Sequence, residues 1–513
     1  MNSSTEIDSM HRRSSQFWIG FLLLAGTFSI VRAEIPDNTA ARTLTVEAIH
    51  AVHALDSATA NLKFDQAIAA DPACSPARLY RSFHHIWGAL ANRNKADYEE
   101  FMKQADQIFE AAEANLDRND RDTDALFTMG MTYIYRACVY GRFDSYLKAA
   151  WDARKGYSYL EDCVEVNPDY HDAYLGLGAI HYLAAMLPRP LRWMFSIIGV
   201  ESNTRKGIDE IQRAAEKGYF AKTEAQFYLG MYFGYLEEDQ RGVDLLRSLT
   251  EEFPRNVIFI YNLAGAELRQ RKVARARDQF TKVLQYVGTE YAAMAEYSKY
   301  RLGECALRVD NFPEAKKWFS LYLQQTVTSH FWAVAYYRIG QCEEAMGNRA
   351  GAVAAYEKAS TIGNKHQEDR AAVRRALKAL QHPLSQVGLT LLKADNLYYS
   401  GEFVTVVNLY QQILRRTDLS DDEKGEIYHG LGRTYLEMNR VDEAAKILNR
   451  VFGLKHMTET WIEPWTRYYL AVVASKRGDS DLANQYLDLA LSADHYDYKM
   501  WLTFRIDRLK ERL

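Results

Sequence analysis

Proline and glycine are scarce in this chain, 10 and 28 among 513 residues. That leaves little material for long loops, or for the turn every ten residues or so that an all-β chain needs, so helix is the default expectation. Compact catalytic signatures are missing as well. There is no G-x-x-x-x-G-K-[ST], no H-E-x-x-H, no G-x-S-x-G and no C-x-x-C, so the short motifs of phosphate, zinc and nucleophile chemistry are absent. No charge of one sign dominates: 63 basic against 67 acidic residues give a net charge of −4, which argues for neither nucleic acid nor an anionic membrane as partner. Cysteines number five, at 74, 138, 163, 305 and 342, and their placement on the expected helices leaves no pair close enough to bridge, so they read as free core thiols. Long apolar runs are confined to two places. The first is N-terminal, where His11, Arg12 and Arg13 precede an uncharged run from Phe17 to Val31 and then Val31-Arg32-Ala33. Fifteen residues fall short of the ~20 that span a bilayer. A basic start, an apolar run and a small-residue site describe a signal peptide, residues 1–33, cleaved after Ala33. Export is the consequence, to the periplasm or cell envelope in a bacterium.

What is present is a repeat in a composition rich enough for a large core, 48% hydrophobic and 13% aromatic. Glycines follow a Leu, Ile or Met at Gly130, Gly178, Gly230, Gly303, Gly340 and Gly432, as in "YRLG" and "YRIG". Downstream come a small residue, then an aromatic or Leu, then another apolar or small residue: Ala315–Phe319–Tyr322, Ala352–Tyr356–Ala359 and Ala444–Leu448–Val451. Gly or Asn marks the turn between, as in "EAMGNRAGA", "YYSGEF" and "SKRGDS". The cleanest copy is residues 223–256, with Leu229-Gly230, Phe233, Leu246, Leu249 and Pro254 in place and Gly242 where Ala is usual. Spacing and order resemble the tetratricopeptide repeat, a helix–turn–helix unit of about 34 residues. Small residues let helices approach closely and large apolar ones fill what remains, so each unit needs its neighbours.

The fold expected is therefore all-α, a solenoid of about eleven helical hairpins between Ala41 and Asp497. Its parts are an N-terminal array over 34–365, a connector helix within 366–386 and a C-terminal array over 387–513. The connector carries a basic stripe, Arg370, Arg374, Arg375 and Lys378, expected to be a solvated face balanced by Glu368 and Asp369. His50 with His53, and His84 beside His85, find no third residue at metal-ligand spacing, so they read as core or solvent-facing histidines. No catalytic, cofactor or metal site is expected.

The second apolar run interrupts the repeats. In "LPRPLRWMFSIIGVES", residues 187–202, Leu191, Trp193, Phe195 and Ile198 crowd into a nearly uncharged stretch that Pro188 and Pro190 keep from starting as a smooth helix. Residues 174–233 around it resemble the eukaryotic inclusion-body-clearance family, whose mammalian members are called tetratricopeptide repeat protein 39. Gly176 and Gly178, Leu187-Pro188, the apolar run to Gly199 and Gly207-Ile208 carry the likeness, while Glu201 to Arg205 stands where that family has Gly-Asp-Arg. The resemblance implies an adaptor-like, non-enzymatic protein. The insertion has two readings: a plug packed across its own repeat, or an exposed patch for a partner or a membrane surface.

In a tetratricopeptide array the fifth position of each unit tends to line the concave face. Here those positions are Phe227, Tyr261, Tyr300 and Tyr337. Relatives that grip acidic C-termini use Lys at the fifth and Asn at the ninth position, whereas the ninth positions here are Met231, Gly265, Glu304 and Gln341. That clamp is absent, so a bound peptide is expected to rest on aromatic rings. The leading function is thus an exported scaffold or adaptor that binds a protein or peptide in its groove. The alternative is a lipid-handling or membrane-surface protein, or an enzyme, using the insertion as a pocket.

Overall fold

The computed structural model describes residues 39–186, 203–236, 239–286, 288, 291–324, 330–363 and 366–513. Among these residues the helices pair off in eleven hairpins, from Thr39–His53 with Ser57–Ala70 to Ile462–Lys476 with Ser480–Leu491. The first arm of the second hairpin is broken into Ser75–Arg81 and Phe83–Asn92. Ser82 sits at the break, and its hydroxyl donates to the Leu79 carbonyl at 2.6 Å. Helix Gln367–Gln381 stands between the eighth and ninth hairpins, and Lys499–Lys510 follows the last. The all-α repeat solenoid expected from the sequence is the fold observed. No helix of the described residues is long and apolar enough to cross a membrane.

Short polar caps and tight turns cut the chain into these lengths. Asp56, Asn94, Asp122, Asn256 and Asn348 each accept from the first-turn backbone N–H groups of the helix they precede, and Ser420 with Glu423 forms a reciprocal capping box. Between the arms the backbone passes through the left-handed region. Glycine takes that position at Gly347, Gly401 and Gly478, with φ of 79°, 88° and 77°, where it is unstrained. Arg93, Asp144, Arg271, Asp310 and Asn439 take the same step with φ between 54° and 63°.

The repeat glycines let arms touch. A Cβ built on Gly178 would lie 2.5 Å from the Gly207 carbonyl oxygen, and one on Gly207 2.7 Å from that of Gly178. The two backbones of the fourth hairpin are therefore in direct contact, and no side chain fits between them. At Gly340 the space is filled instead by the Tyr356 ring, 2.2 Å from where a Cβ would be.

Ala41–Leu513 forms one compact unit, because hairpins far apart in sequence also meet. Asn256 donates to the His53 carbonyl at 2.8 Å, which ties the first hairpin to the sixth. Arg271 donates to Glu437 at 2.6 Å, and Asn396 to Asp310 at 2.8 Å. Packing thus runs without a break across residues 366–386. The basic stripe of the connector corrects the sequence expectation in part. The stripe is solvated as expected, the Arg374 and Lys378 side chains being 61% and 57% exposed, but its partners differ: Arg374 and Arg375 pair with Asp497, and Lys378 with Glu459, on either side of the last hairpin. Asp369 is committed elsewhere: its carboxylate accepts from the backbone N–H groups of Phe331, Ala333 and Val334 at 3.2, 3.0 and 3.3 Å. It caps the helix Trp332–Ala345 and compensates that helix's dipole.

Candidate functional site

The four fifth-position rings fall on successive first arms, but they do not stand alike. Phe227 is 2% exposed, edge-on to Trp87 at 5.8 Å and beside Phe259 at 5.1 Å. Tyr300 is 5% exposed, stacked on Phe331 at 4.9 Å and closed in by Phe319 and Tyr322. These two rings seal the seam between hairpins and offer no face to a ligand. Tyr261 and Tyr337 are half-buried. Tyr261 rests edge-on against Phe280 at 5.5 Å and its hydroxyl accepts from Arg301. Tyr337 lies 5.7 Å from Tyr356. Local packing explains the split: the sixth hairpin meets Phe227 through Phe259, and Phe331 covers Tyr300 just before its own helix begins.

Two of the three fifth-position tyrosines are followed by an arginine that the sequence pattern did not single out. Arg301 and Arg338 follow Tyr300 and Tyr337, and both are half-buried. Each is steadied by the ninth-position side chain three residues on, Arg301 by Glu304 at 2.6 Å and Arg338 by the Gln341 Oε1 at 2.8 Å. The signal was the recurrence of Tyr-Arg in "YRLG" and "YRIG", which served only as a marker of the repeat. One partner is a carboxylate and the other a neutral amide, so the two cations differ. Arg338 lies within electrostatic reach of Tyr300, Tyr337, Asp395 and Tyr498. Glu426 lies within electrostatic reach of Tyr337, and burial and the nearby Glu459 push its carboxyl up to about 7, against the pull of Arg375 and Lys378. The first arms of the seventh to tenth hairpins thus carry arginines, tyrosines and an acid poised near neutrality.

Other expected features fall as follows. Leu191, Trp193, Phe195 and Ile198 lie outside the described residues, as do residues 1–33. All five cysteines are free, four of them buried. His53 is buried among Phe83, Phe253 and Phe259, and that apolar surrounding lowers its pKa to about 4. His50 packs on Phe253 at 4.8 Å.

A tetratricopeptide-repeat family model matches residues 333–365 and 425–455, the eighth hairpin with the residues after it and the tenth. No curated protein matches the sequence. Among solved structures, yeast Tom70 is 13% identical with a TM-score of 0.31, covering 88% of this chain and 92% of its own. The TPR domain of P58(IPK) is 13% identical with a TM-score of 0.21, over 81% and 99%. Human IFIT1, solved as a dimer with m7Gppp-AAAA, is 12% identical with a TM-score of 0.34, over 81% and 95%.

Proposed function

We propose that this chain of tetratricopeptide repeats is a non-enzymatic, exported scaffold that holds an acidic segment of a protein partner against its inner face. The observation that carries the reading is Arg338, whose guanidinium bonds to the neutral Gln341 at 2.8 Å while Arg301 beside it has Glu304. A half-buried cation hydrogen-bonded to a neutral amide, with Asp395 within electrostatic reach but not bonded to it among the described residues, is suited to an acidic group brought by a ligand, where a charge-assisted bond is strong. Tyr337 next to it supplies the rigid contact area typical of interface anchors. The likeness of residues 174–233 to the inclusion-body-clearance family supports an adaptor role in the same direction.

Cross-linking and affinity purification of the untagged-groove chain from its own cell envelope tests this, with Arg338→Glu and Tyr337→Ala alongside. Both variants should lose the captured partner while their melting temperatures stay within about 3 °C of the parent, a surface-sized change. Capture that survives both changes would refute the groove. The export half is separate, and intact-mass analysis of the secreted fraction reads it directly: a chain beginning at Glu34 supports it, and a full-length chain ends it.

A further inference from the structure

Between the first two hairpins and the sixth and seventh lies a cavity of about 470 Å³ whose lining includes His84, His85 and Glu100. The two histidines are consecutive on helix Phe83–Asn92, so their rings splay, meeting edge-on at 5.2 Å. The next helix, Lys95–Leu116, returns beside them after a two-residue turn. Arg93 takes the left-handed conformation with φ 54°, and the Asn94 side chain caps the helix by accepting from the N–H groups of Ala96 and Asp97. That turn sets Asp97 in the first helical turn, with its Oδ1 2.9 Å from the His85 Nδ1. Gly88 makes the room, since a Cβ built on it would lie 2.1 Å from the Asp97 Oδ2. One donor atom from each of His84, His85 and Asp97 then falls within 4.8 Å of the others, all three residues half-buried.

We propose that His84, His85 and Asp97 bind one divalent transition-metal ion of the zinc, cobalt or nickel class, with Glu100, one turn beyond Asp97, at hand from the cavity wall. Two imidazoles and a carboxylate are the donor set such borderline cations take, and calcium or magnesium would call for oxygen alone. Donors around an ion at about 2.0–2.1 Å stand roughly 3.3 Å apart in tetrahedral geometry. Closing from the observed spread of up to 4.8 Å needs about 1.5 Å of relative movement between donors, shared among three half-buried side chains. The cavity supplies the entry path. It also leaves the far side of the ion open to water, to Glu100 or to a small anionic ligand. The ion takes the place of the hydrogen bond between the His85 Nδ1 and the Asp97 Oδ1. Bound there, the ion ties the two arms of the second hairpin together at the wall of the cavity, a role independent of the groove on the inner face.

The test uses the full chain without a histidine tag, stripped with chelator and titrated with Co2+ and then Zn2+. One equivalent of Co2+ should bind with visible d–d absorption, and Zn2+ should bleach it. His84→Ala and Asp97→Asn should each weaken binding about tenfold or more, at least what loss of a supporting residue does. Gly88→Ala removes no donor, yet its methyl occupies the place of the Asp97 carboxylate, so it should weaken binding as much. His84 is outside the His85–Asp97 bond, so its variant keeps the native fold, which the melting temperature verifies. A native chain that gives no saturable cobalt spectrum overturns the site. So does His84→Ala binding as tightly as the parent, and retention in Asp97→Asn and Gly88→Ala removes the carboxylate and the proposal with it.

Discussion

Glu224 shows what a single residue costs when it turns inward. Its side chain is buried with the Tyr135 hydroxyl donating to it at 2.5 Å and Tyr228 bonded to it as well, yet none of its partners among the described residues is a cation. Burial outweighs the two hydroxyls and pushes its carboxyl up to about 7. In the unfolded chain the same group titrates near 4.3. Between those values the folded chain holds a proton that the unfolded chain has lost, so stability falls as pH rises through this window and is unaffected below it. Glu224→Gln keeps an acceptor for both tyrosines without the charge. It should match the parent at pH 4.5 and exceed it above pH 7 by on the order of 3 kcal/mol. Thermal unfolding of both chains from pH 4.5 to 8 measures this, and a gain that stays flat with pH would contradict it. Residues of this kind were not legible in the sequence, since Glu224 looks like any first-turn acid until Tyr135, 89 positions away, closes over it. The fifth-position rings were legible as a row, because one repeat position carries them. Their exposure was not, because Trp87 and Phe331 cover Phe227 and Tyr300 from outside the row. Asp97 escaped for another reason: it stands 12 residues from His85, across a turn whose tightness rests on Arg93 accepting a left-handed φ.

At the scale of the element, most of the fold could be read ahead because each hairpin is built from the same few devices. Leu-Gly pairs, small residues on the second arm and Gly or Asn at the turn each have one physical job, and the structure finds them at it in Gly347, Gly401 and Gly478. What could not be read is where a helix breaks: at the interruption the Ser82 hydroxyl donates to the Leu79 carbonyl, but Thr250 makes the same bond to Arg247 inside an unbroken helix, so the residue type does not announce the break. Glycines give the sharpest test of the close-approach argument. In Gly178→Ala the new methyl meets backbone, the Gly207 carbonyl at 2.5 Å and the Ile211 nitrogen at 2.9 Å, and neither can swing aside. Overpacking of this sort costs about 1–3 kcal/mol. Gly141, in the last turn of helix Thr123–Arg142, has nothing within 4 Å of its would-be Cβ. Gly141→Ala should instead stabilise by about 0.5–1 kcal/mol through helix propensity. Opposite shifts in unfolding midpoint are therefore expected from the same chemical change, and equal shifts would mean that helix contact is not what the repeat glycine serves.

At the scale of the molecule, a solenoid whose hairpins touch only their neighbours would be a one-dimensional stack, and this chain is more than that. The turns of the sixth, seventh, ninth and tenth hairpins gather at one place. There Arg271 donates to the Tyr398 carbonyl at 3.3 Å and to Glu437 at 2.6 Å, with its guanidinium 5.1 Å from the centre of the Tyr398 ring. Arg308 reaches the Leu268 carbonyl at 2.7 Å and that of Tyr399 at 3.4 Å. The sequence held no sign of this, because the contacts join residues up to 166 positions apart and follow from the superhelical path set by all the hairpins together. They decide whether the eighth hairpin and the connector form a closed loop of structure or a hinge. Arg271→Ala with Arg308→Ala removes the clasp while leaving every hairpin its own core. Loss of charged hydrogen bonds from a half-buried site costs about 2 kcal/mol per arginine. The expected result is a lower melting temperature together with a larger radius of gyration in solution scattering. Proteolysis should quicken at 381–383, exposed residues in the link between the connector and the ninth hairpin. Cooperativity gives the second reading: the parent, clasped, should melt in one transition across residues 333–513, and the double variant should melt in two as nearest-neighbour stacking alone is left to couple the hairpins. If the variant keeps its size and its single transition, the coupling runs through Leu392 and the shared apolar core between the seventh and ninth hairpins, and the clasp is incidental to it.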